Sequence, residues 1–173
     1  KEQGFSNKLI EYLRDFEFCC DVYAMPEGTP VFPNEPIVKV QGPAIQAQLI
    51  ETLLLNTINH QTLIATKANR VVRAAQGRRV FESGARRAHG FDAAIDGARA
   101  AFVGGVNATT LYPASKKYNI PLVTMMGHGW VQLFDNELEA FKVYLEEHGE
   151  DGALLVDTYD TLDSGVKNAI EAF

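Results

Sequence analysis

Strand-like runs that alternate with helix-like segments place this chain in the α/β class. Short runs that read as strands, at 79–82, 121–125 and 153–157, are separated by segments with helical spacing, an order typical of a parallel sheet with crossover helices. Four of the seven prolines lie between Pro26 and Pro36, which indicates a small, turn-rich β element upstream. Three strands are too few to close an eight-stranded barrel. We therefore predict an N-terminal part of small turn-rich β plus helix, leading into an incomplete (β/α) barrel.

Spacing and turn residues divide the chain into three regions. In 1–43, an amphipathic helix over 1–18 precedes two short β runs at 22–24 and 37–40. Residues 44–77 form linking helices, since 44–76 contain no glycine or proline and Gly77 is a natural stop. A single helix of that length is uncommon, so we expect a break near Asn59-His60. Residues 78–173 begin the barrel, with predicted helices over 92–102, 111–118, 137–148 and 164–173.

Charge and cysteine usage narrow the function classes. The net charge of −6 argues against general nucleic-acid binding. No apolar run approaches the roughly 20 residues that a membrane-spanning helix needs. The two cysteines, Cys19 and Cys20, are adjacent and therefore poorly placed to bridge each other, so a reducing cytoplasm is the simpler prediction. The span from Lys67 to Arg87 holds seven basic residues and one acid, which solvated helix faces or an anionic ligand would both explain.

Ligands of parallel α/β sheets bind beyond the carboxyl ends of the strands, and that rule selects candidate residues. Arg86 and Arg87 follow the first strand, and guanidinium binds phosphate with paired hydrogen bonds. His128 follows the second strand and could act as a base, an acid or a phosphoryl acceptor. Asp157 ends the third strand and could orient a histidine. Each also has a structural interpretation: arginines paired with carboxylates, a histidine at a helix start, and a turn cap.

Hydroxyl groups and glycines mark a further candidate segment. Thr109 and Thr110 follow Gly104-Gly105 and could donate to an anion, although turn formation explains them about as well. No Walker-type loop, dinucleotide fingerprint, HExxH or GxSxG motif occurs in the sequence, and we assign no residue to a metal.

Several of these segments, in order, resemble one family. Residues 81–92 read Phe-Glu-Ser-Gly-Ala-Arg-Arg-Ala-His-Gly-Phe-Asp and are similar to the paired-arginine stretch of nicotinate phosphoribosyltransferases. Gly104-Gly105 and Thr109-Thr110 match that family's next segment in spacing. Residues 126–131 resemble its histidine segment, and 154–161 resemble the strand that follows. The resemblance extends over nearly the whole chain.

The resemblance implies an activity and roles for the candidate residues. Nicotinate and phosphoribosyl pyrophosphate would give nicotinate mononucleotide and pyrophosphate in NAD salvage, with Mg²⁺ and coupled to ATP hydrolysis. His128 would be phosphorylated by ATP, with Asp157 as its hydrogen-bonding partner. Phosphate or the nicotinate carboxylate would bind at Arg86 or Arg87. The pocket would be lined by Thr109, Thr110 and Gly105. The resemblance also implies a homodimer and a barrel that continues beyond the equivalent of Phe173.

The chain departs from the family pattern at several pocket positions. Gly129 stands where the family usually has Ser, and Asn107 stands at a common Asp. Leu111 replaces an Asn, and Thr124-Met125 replaces Gly-Thr. Two alternatives therefore accompany the main expectation: a non-catalytic binding or oligomerisation relative, and an enzyme that uses nicotinamide.

Overall fold

The computed structural model describes residues 4–149 and 152–173, which fall into two compact units. The N-terminal unit comprises the chain up to Val80 together with Gly84–Val106. The C-terminal unit comprises Phe81–Ser83 and the chain from Asn107 onward. None of the described helices combines the length and the apolar character that a membrane span requires. The predicted three-part division of the chain stays a prediction.

The N-terminal unit begins with a short helix and a β-hairpin. Helix α1 spans Asn7–Arg14, shorter than predicted, because Ser6 caps it by accepting a hydrogen bond from the Leu9 amide at 3.3 Å. Strands β1 (Asp21–Ala24) and β2 (Val38–Gln41) pair antiparallel, with Asp21 opposite Gln41. The proline-rich segment forms the connection, so the predicted turn-rich β element is confirmed.

One long helix, α2, spans Ala44–Ala74 without interruption, so the predicted break near His60 is wrong. Helix α2 packs along α3 (Phe91–Val103), and His60 Nε2 lies 3.3 Å from the Ala93 carbonyl oxygen of α3. A Cβ added to Gly104 would lie 2.5 Å from the Ala65 carbonyl oxygen. Helix α3 therefore packs against α2 across the position of the predicted break. This tertiary packing stabilises a helix that is longer than usual.

The C-terminal unit contains a short parallel β arrangement. Strands β3 (Phe81–Glu82) and β4 (Ala108–Thr109) are parallel, and Thr109 forms an isolated parallel bridge with Leu122. The parallel pairing of the α/β class is confirmed, but the predicted strands are too long. The run at 121–125 contributes that single bridge, and 153–157 takes irregular backbone. Apolar runs predict burial, and burial alone does not supply a ladder partner.

Helices form the core of the C-terminal unit. Helix α4 spans Tyr112–Tyr118, α5 spans His128–Val131, α6 spans Glu137–His148 and α7 spans Val166–Ala172. A π-type turn over Thr161–Gly165 precedes α7, which therefore begins two residues later than predicted. Phe141 and Val131 are fully buried in a cluster against which Leu154, Leu155 and Val156 pack. The predicted strand is thus an apolar anchor for the residues that follow it.

Candidate functional site

Three side chains of the C-terminal unit form a cluster that we call the histidine cluster: His128, Asp157 and Thr158. The Nδ1 atom of His128 lies 3.3 Å from Thr158 Oγ1, and its Nε2 atom lies 3.9 Å from Asp157 Oδ1. The His128 and Asp157 side chains are 43% and 59% exposed, so both are accessible to a ligand from solvent. The structure brings together the histidine and the carboxylate that the sequence placed at two strand ends.

Helix α6 anchors the His128 side of the cluster. His128 is the first residue of α5, directly after the extended Gly127. Two residues on, the Trp130 indole Nε1 donates to the Ala140 carbonyl oxygen of α6 at 3.2 Å, and its ring meets Tyr144 edge-on. Val131 is fully buried beside them. The imidazole therefore stands on a short helix that Trp130 and Val131 anchor to the core.

The same helix anchors the Asp157 side. Glu137 of α6 is 4% exposed, and its Oε2 accepts a hydrogen bond from Asn168 Nδ2 of α7 at 3.0 Å. Between Thr158 and α7, Asp160 Oδ1 accepts from the Leu162 and Asp163 amides at 3.0 and 2.6 Å. Both halves of the histidine cluster are thus tied to α6, which is the arrangement that a preorganised site requires.

This arrangement suits nucleophilic or acid–base chemistry. A carboxylate facing Nε2 favours the tautomer with its proton on that atom, and the Nδ1 lone pair then accepts from the Thr158 hydroxyl. At 3.9 Å the ion-pair contact is too long for a hydrogen bond, so the imidazole is oriented without being tightly held. Thr158 was not among the predicted site residues, although a hydroxyl residue directly after a strand-end aspartate was a usable signal.

Thr109 has structural bonds within the C-terminal unit. It is fully buried, its Oγ1 donates to Glu82 Oε2 at 2.6 Å, and the same oxygen accepts from the Leu111 amide at 3.0 Å. The Thr110 amide donates to the Glu82 carbonyl oxygen at 2.9 Å. Glu82, the one acid in the basic run, therefore shapes this segment and was missed as a residue of interest. The substrate-binding role of Thr109 and Thr110 stays a prediction.

The paired arginines and Gly105 lie in the N-terminal unit. Arg86 and Arg87 are exposed on a single 3-10 turn, Ala85–Arg87, and the Arg87 amide donates to the Gly84 carbonyl oxygen at 2.8 Å. Gly90 follows with φ of 118°, a conformation that favours glycine. Gly105 (φ of 106°) comes directly after the α3 cap. Ligand binding by these residues also stays a prediction.

The N-terminal unit also contains an open cavity of about 430 Å³, which sequence patterns did not reveal. Residues of the hairpin, α2 and α3 line it, and most are apolar. Its polar edge is an ion pair: Arg99 donates to Glu27 Oε2 at 2.6 Å and to Gln61 Oε1 at 3.1 Å. The hydrogen bond from Arg99 holds the pKa of Glu27 below its ordinary value of 4.5. Within the described parts of the chain, no group of three or more His, Cys, Asp or Glu side chains is arranged to hold a metal ion.

Comparison with known proteins gives a consistent picture. Residues 1–59 match the family described as nicotinate phosphoribosyltransferase (NAPRTase) N-terminal domain. The nicotinate phosphoribosyltransferase of Bacillus subtilis is 51% identical over 169 residues, covering 98% of this chain and 34% of its own. Nicotinate phosphoribosyltransferase pncB2 of Mycobacterium tuberculosis is 47% identical over 167 residues, covering 96% of this chain and 36% of its own.

Solved structures show the same fold. Human nicotinic acid phosphoribosyltransferase superposes with a TM-score of 0.72 at 26% identity, covering 96% of this chain and 43% of the human one. The nicotinate-nucleotide pyrophosphorylase of Pyrococcus furiosus superposes with a TM-score of 0.75 at 31% identity, covering 88% of this chain and 39% of its own. The chain spans about a third of the length of the curated relatives named above.

Proposed function

Because this chain is related to the nicotinate phosphoribosyltransferases along almost its whole length, we propose that the protein is a nicotinate phosphoribosyltransferase of NAD salvage. It transfers the phosphoribosyl group of phosphoribosyl pyrophosphate to nicotinate. The pyridine nitrogen forms a bond to the ribose anomeric carbon, the bond from that carbon to pyrophosphate breaks, and nicotinate mononucleotide and pyrophosphate leave. Both relatives named above carry nicotinate in their names, which favours nicotinate over nicotinamide and an enzyme over a non-catalytic relative.

The observation that carries the proposal is the histidine cluster. Asp157 favours the Nε2–H tautomer of His128, which leaves the Nδ1 lone pair for attack once the Thr158 hydroxyl turns aside. Nδ1 then attacks the terminal phosphorus of ATP, the bond to the bridging oxygen breaks, and ADP departs. The positive charge left on the imidazole is stabilised by the Asp157 carboxylate. Hydrolysis of this phosphohistidine couples ATP to the transfer reaction.

Arginine side chains are further candidates for binding the anionic substrates. Arg86 and Arg87 are exposed guanidinium groups that can pair with phosphate or with the nicotinate carboxylate. Thr109, Thr110 and Gly105 are proposed as further substrate-binding residues. Since the Thr109 hydroxyl is bonded to Glu82 and to the Leu111 amide, its contribution is to shape the backbone there.

Mg²⁺ fits this site as an ion held mainly by the phosphates of a substrate. Mg²⁺ keeps several waters and binds through one or two carboxylates plus substrate phosphates. Asp157 is an accessible carboxylate at the proposed phosphoryl acceptor, and the described residues build no closed metal cage. When bound, Mg²⁺ would neutralise phosphate charge, and Asp157 is the residue placed to contact it. We further propose a cytoplasmic homodimer, with no nucleic-acid or membrane partner.

The test is phosphoryl labelling of the full-length protein. Incubation with ATP labelled at the terminal phosphate should give an acid-labile, base-stable label on His128, and His128→Ala should lose it. His148→Ala is the matched control, because His148 is also exposed in the C-terminal unit but stacks on Tyr144. Label that persists in His128→Ala would remove the assignment.

Substrate choice has a separate measurement. Nicotinate should stimulate pyrophosphate release from phosphoribosyl pyrophosphate more than nicotinamide does. Equal stimulation by the two bases, or a preference for nicotinamide, would contradict the substrate proposed here.

A further inference from the structure

We propose that Gly165 is a positioning residue that fixes Asp157 and Thr158 opposite His128. It does so by close contact between its backbone and that of Val156, and Asp160 closes the turn that brings Gly165 there. The contact between Gly165 and Val156 is a feature of the described residues, whereas its effect on the reaction rate rests on the function proposed above.

The contact with Val156 leaves no room for a side chain. A Cβ added to Gly165 would overlap the Val156 carbonyl oxygen, lying 2.7 Å from the carbonyl carbon and 3.0 Å from the Cα atom. The backbone of Gly165 is helical, with φ of −57° and ψ of −52°, so other residues could adopt its conformation. Only the lack of space for a side chain therefore requires glycine here. That space is occupied by the backbone of Val156, the residue directly before Asp157.

Asp160 determines how the chain returns to Val156. Its carboxylate caps the Leu162 and Asp163 amides, and its carbonyl oxygen accepts from the Gly165 amide at 2.8 Å and from the Ser164 hydroxyl at 3.0 Å. These bonds close a π-type turn over Thr161–Gly165. Such turns are rare in proteins as a whole, and those that occur are often at functional sites. Asp157 and Thr158 thus lie in a loop closed by Val156 on one side and Asp160 on the other.

Any residue larger than glycine at 165 must push Val156 away and displace the loop behind it. Asp157 Oδ1 is already 3.9 Å from His128 Nε2, so a further shift would remove the influence of the carboxylate on the imidazole. We expect the imidazole to lose its bias toward the Nε2–H tautomer. Displacements of about 1 Å at a reacting pair can cost about 100-fold in rate.

The experiment compares Gly165→Ala with Lys167→Ala in the full-length protein. Lys167 lies on α7 just beyond Gly165, and its side chain is 68% exposed and contacts Asp163 at the surface, so its variant should retain the wild-type signature. Imidazole ¹⁵N shifts of His128, assigned with His128→Ala, report the tautomer without turnover. In Gly165→Ala we expect an averaged tautomer and a kcat about 100-fold lower, with KM for nicotinate within about twofold. Wild-type shifts in folded Gly165→Ala would overturn the proposal.

A second pair covers the case in which Gly165→Ala does not fold. Asp160→Asn keeps an oxygen that can cap the Leu162 and Asp163 amides, whereas Asp160→Ala does not. We expect Asp160→Ala to lose the His128 tautomer bias and Asp160→Asn to keep it. Equal behaviour of the two variants would overturn the proposal. If wild-type protein shows the tautomer bias but no label from ATP, the proposed function fails while the positioning role is still decided by the shifts.

Discussion

Each unit contains a contact between an acidic and a basic side chain, and the two differ in how tightly their partners are held. In the N-terminal unit, Arg99 and Glu27 lie 2.6 Å apart, and Gln61 accepts a second bond from the same guanidinium. In the C-terminal unit, His128 and Asp157 lie 3.9 Å apart. A tight pair satisfies its own charges and holds structure in place. A loose pair orients an imidazole while leaving it free to react, and that is the more useful arrangement for chemistry.

The largest expected effect tests whether the loose pair is the functional one. Asp157→Asn keeps the size of the side chain but removes the charge that favours the Nε2–H tautomer of His128. We expect the rate of His128 phosphorylation to fall about 10–100-fold, which is typical when the partner of a functional histidine is lost. Rapid-quench labelling with ATP measures this rate. Glu27→Gln is the matched control in the tight pair, and an equal loss in both variants would erase the distinction drawn between them.

Packing in the N-terminal unit provides the next test. Gly104 lets α3 approach α2 so closely that an added Cβ would lie 2.9 Å from Ala68 Cβ and 2.5 Å from the Ala65 carbonyl oxygen. Gly104→Ala should therefore destabilise the protein by about 1–3 kcal/mol through overpacking. Urea denaturation measures the loss, and His128 labelling of the folded fraction should be unchanged. A neutral effect on stability would mean that the two helices separate without cost.

A smaller effect is expected at the hydroxyl of the histidine cluster. Thr158→Val keeps the shape of the side chain but removes the oxygen that lies 3.3 Å from His128 Nδ1. Loss of one hydrogen bond of this kind is worth about 0.5–1.5 kcal/mol, so the tautomer bias should weaken without disappearing. The ¹⁵N chemical shifts of the His128 imidazole measure this tautomer bias, and Thr158→Ser, which keeps the hydroxyl, is the control. If Thr158→Val matches wild type while Asp157→Asn does not, the carboxylate alone orients the ring.

The sequence predicted best where the determinants are local. Helix α6 has the predicted bounds, Glu137–His148, because both of its ends are set by neighbours in sequence. Asn136 caps the first turn by accepting from the Glu139 amide at 2.9 Å, and Gly149 ends the helix with φ of 61°. His128 and Asp157 were selected as candidates for a related reason: polar residues that directly follow apolar runs stand out in a sequence.

Prediction from the sequence failed where segments distant in the chain determine the local structure. The continuity of α2 depends on the face that α3 presents to His60 and Ala65, about 35 residues away. In the run at 153–157, Leu154, Leu155 and Val156 are half-buried against the core, but the backbone is irregular, since pairing needs a partner strand that periodicity cannot supply. Gly165 reads as an ordinary glycine, because its constraint is the backbone of Val156 and not its own dihedral angles.

The smallest expected effect lies in the tight pair and depends on pH. The hydrogen bond from Arg99 holds the pKa of Glu27 below its ordinary value of 4.5, so Glu27 stabilises the fold when it is ionised. That stabilisation is fully present above the unfolded-state pKa and is lost as pH falls through the lower folded-state pKa. Because the Glu27 side chain is 66% exposed, solvent screening limits the effect to about 0.2–1 kcal/mol.

The stability difference between wild type and Glu27→Gln should therefore be constant near neutral pH and shrink below about pH 4.5. Urea denaturation at a series of pH values measures it, with Glu11→Gln on the exposed face of α1 as the control. A difference that grows on acidification would mean that Glu27 is stabilised as the neutral acid. The 2.6 Å contact between Arg99 and Glu27 would then not act as an ion pair, and distance alone would no longer separate a structural pair from a reactive one.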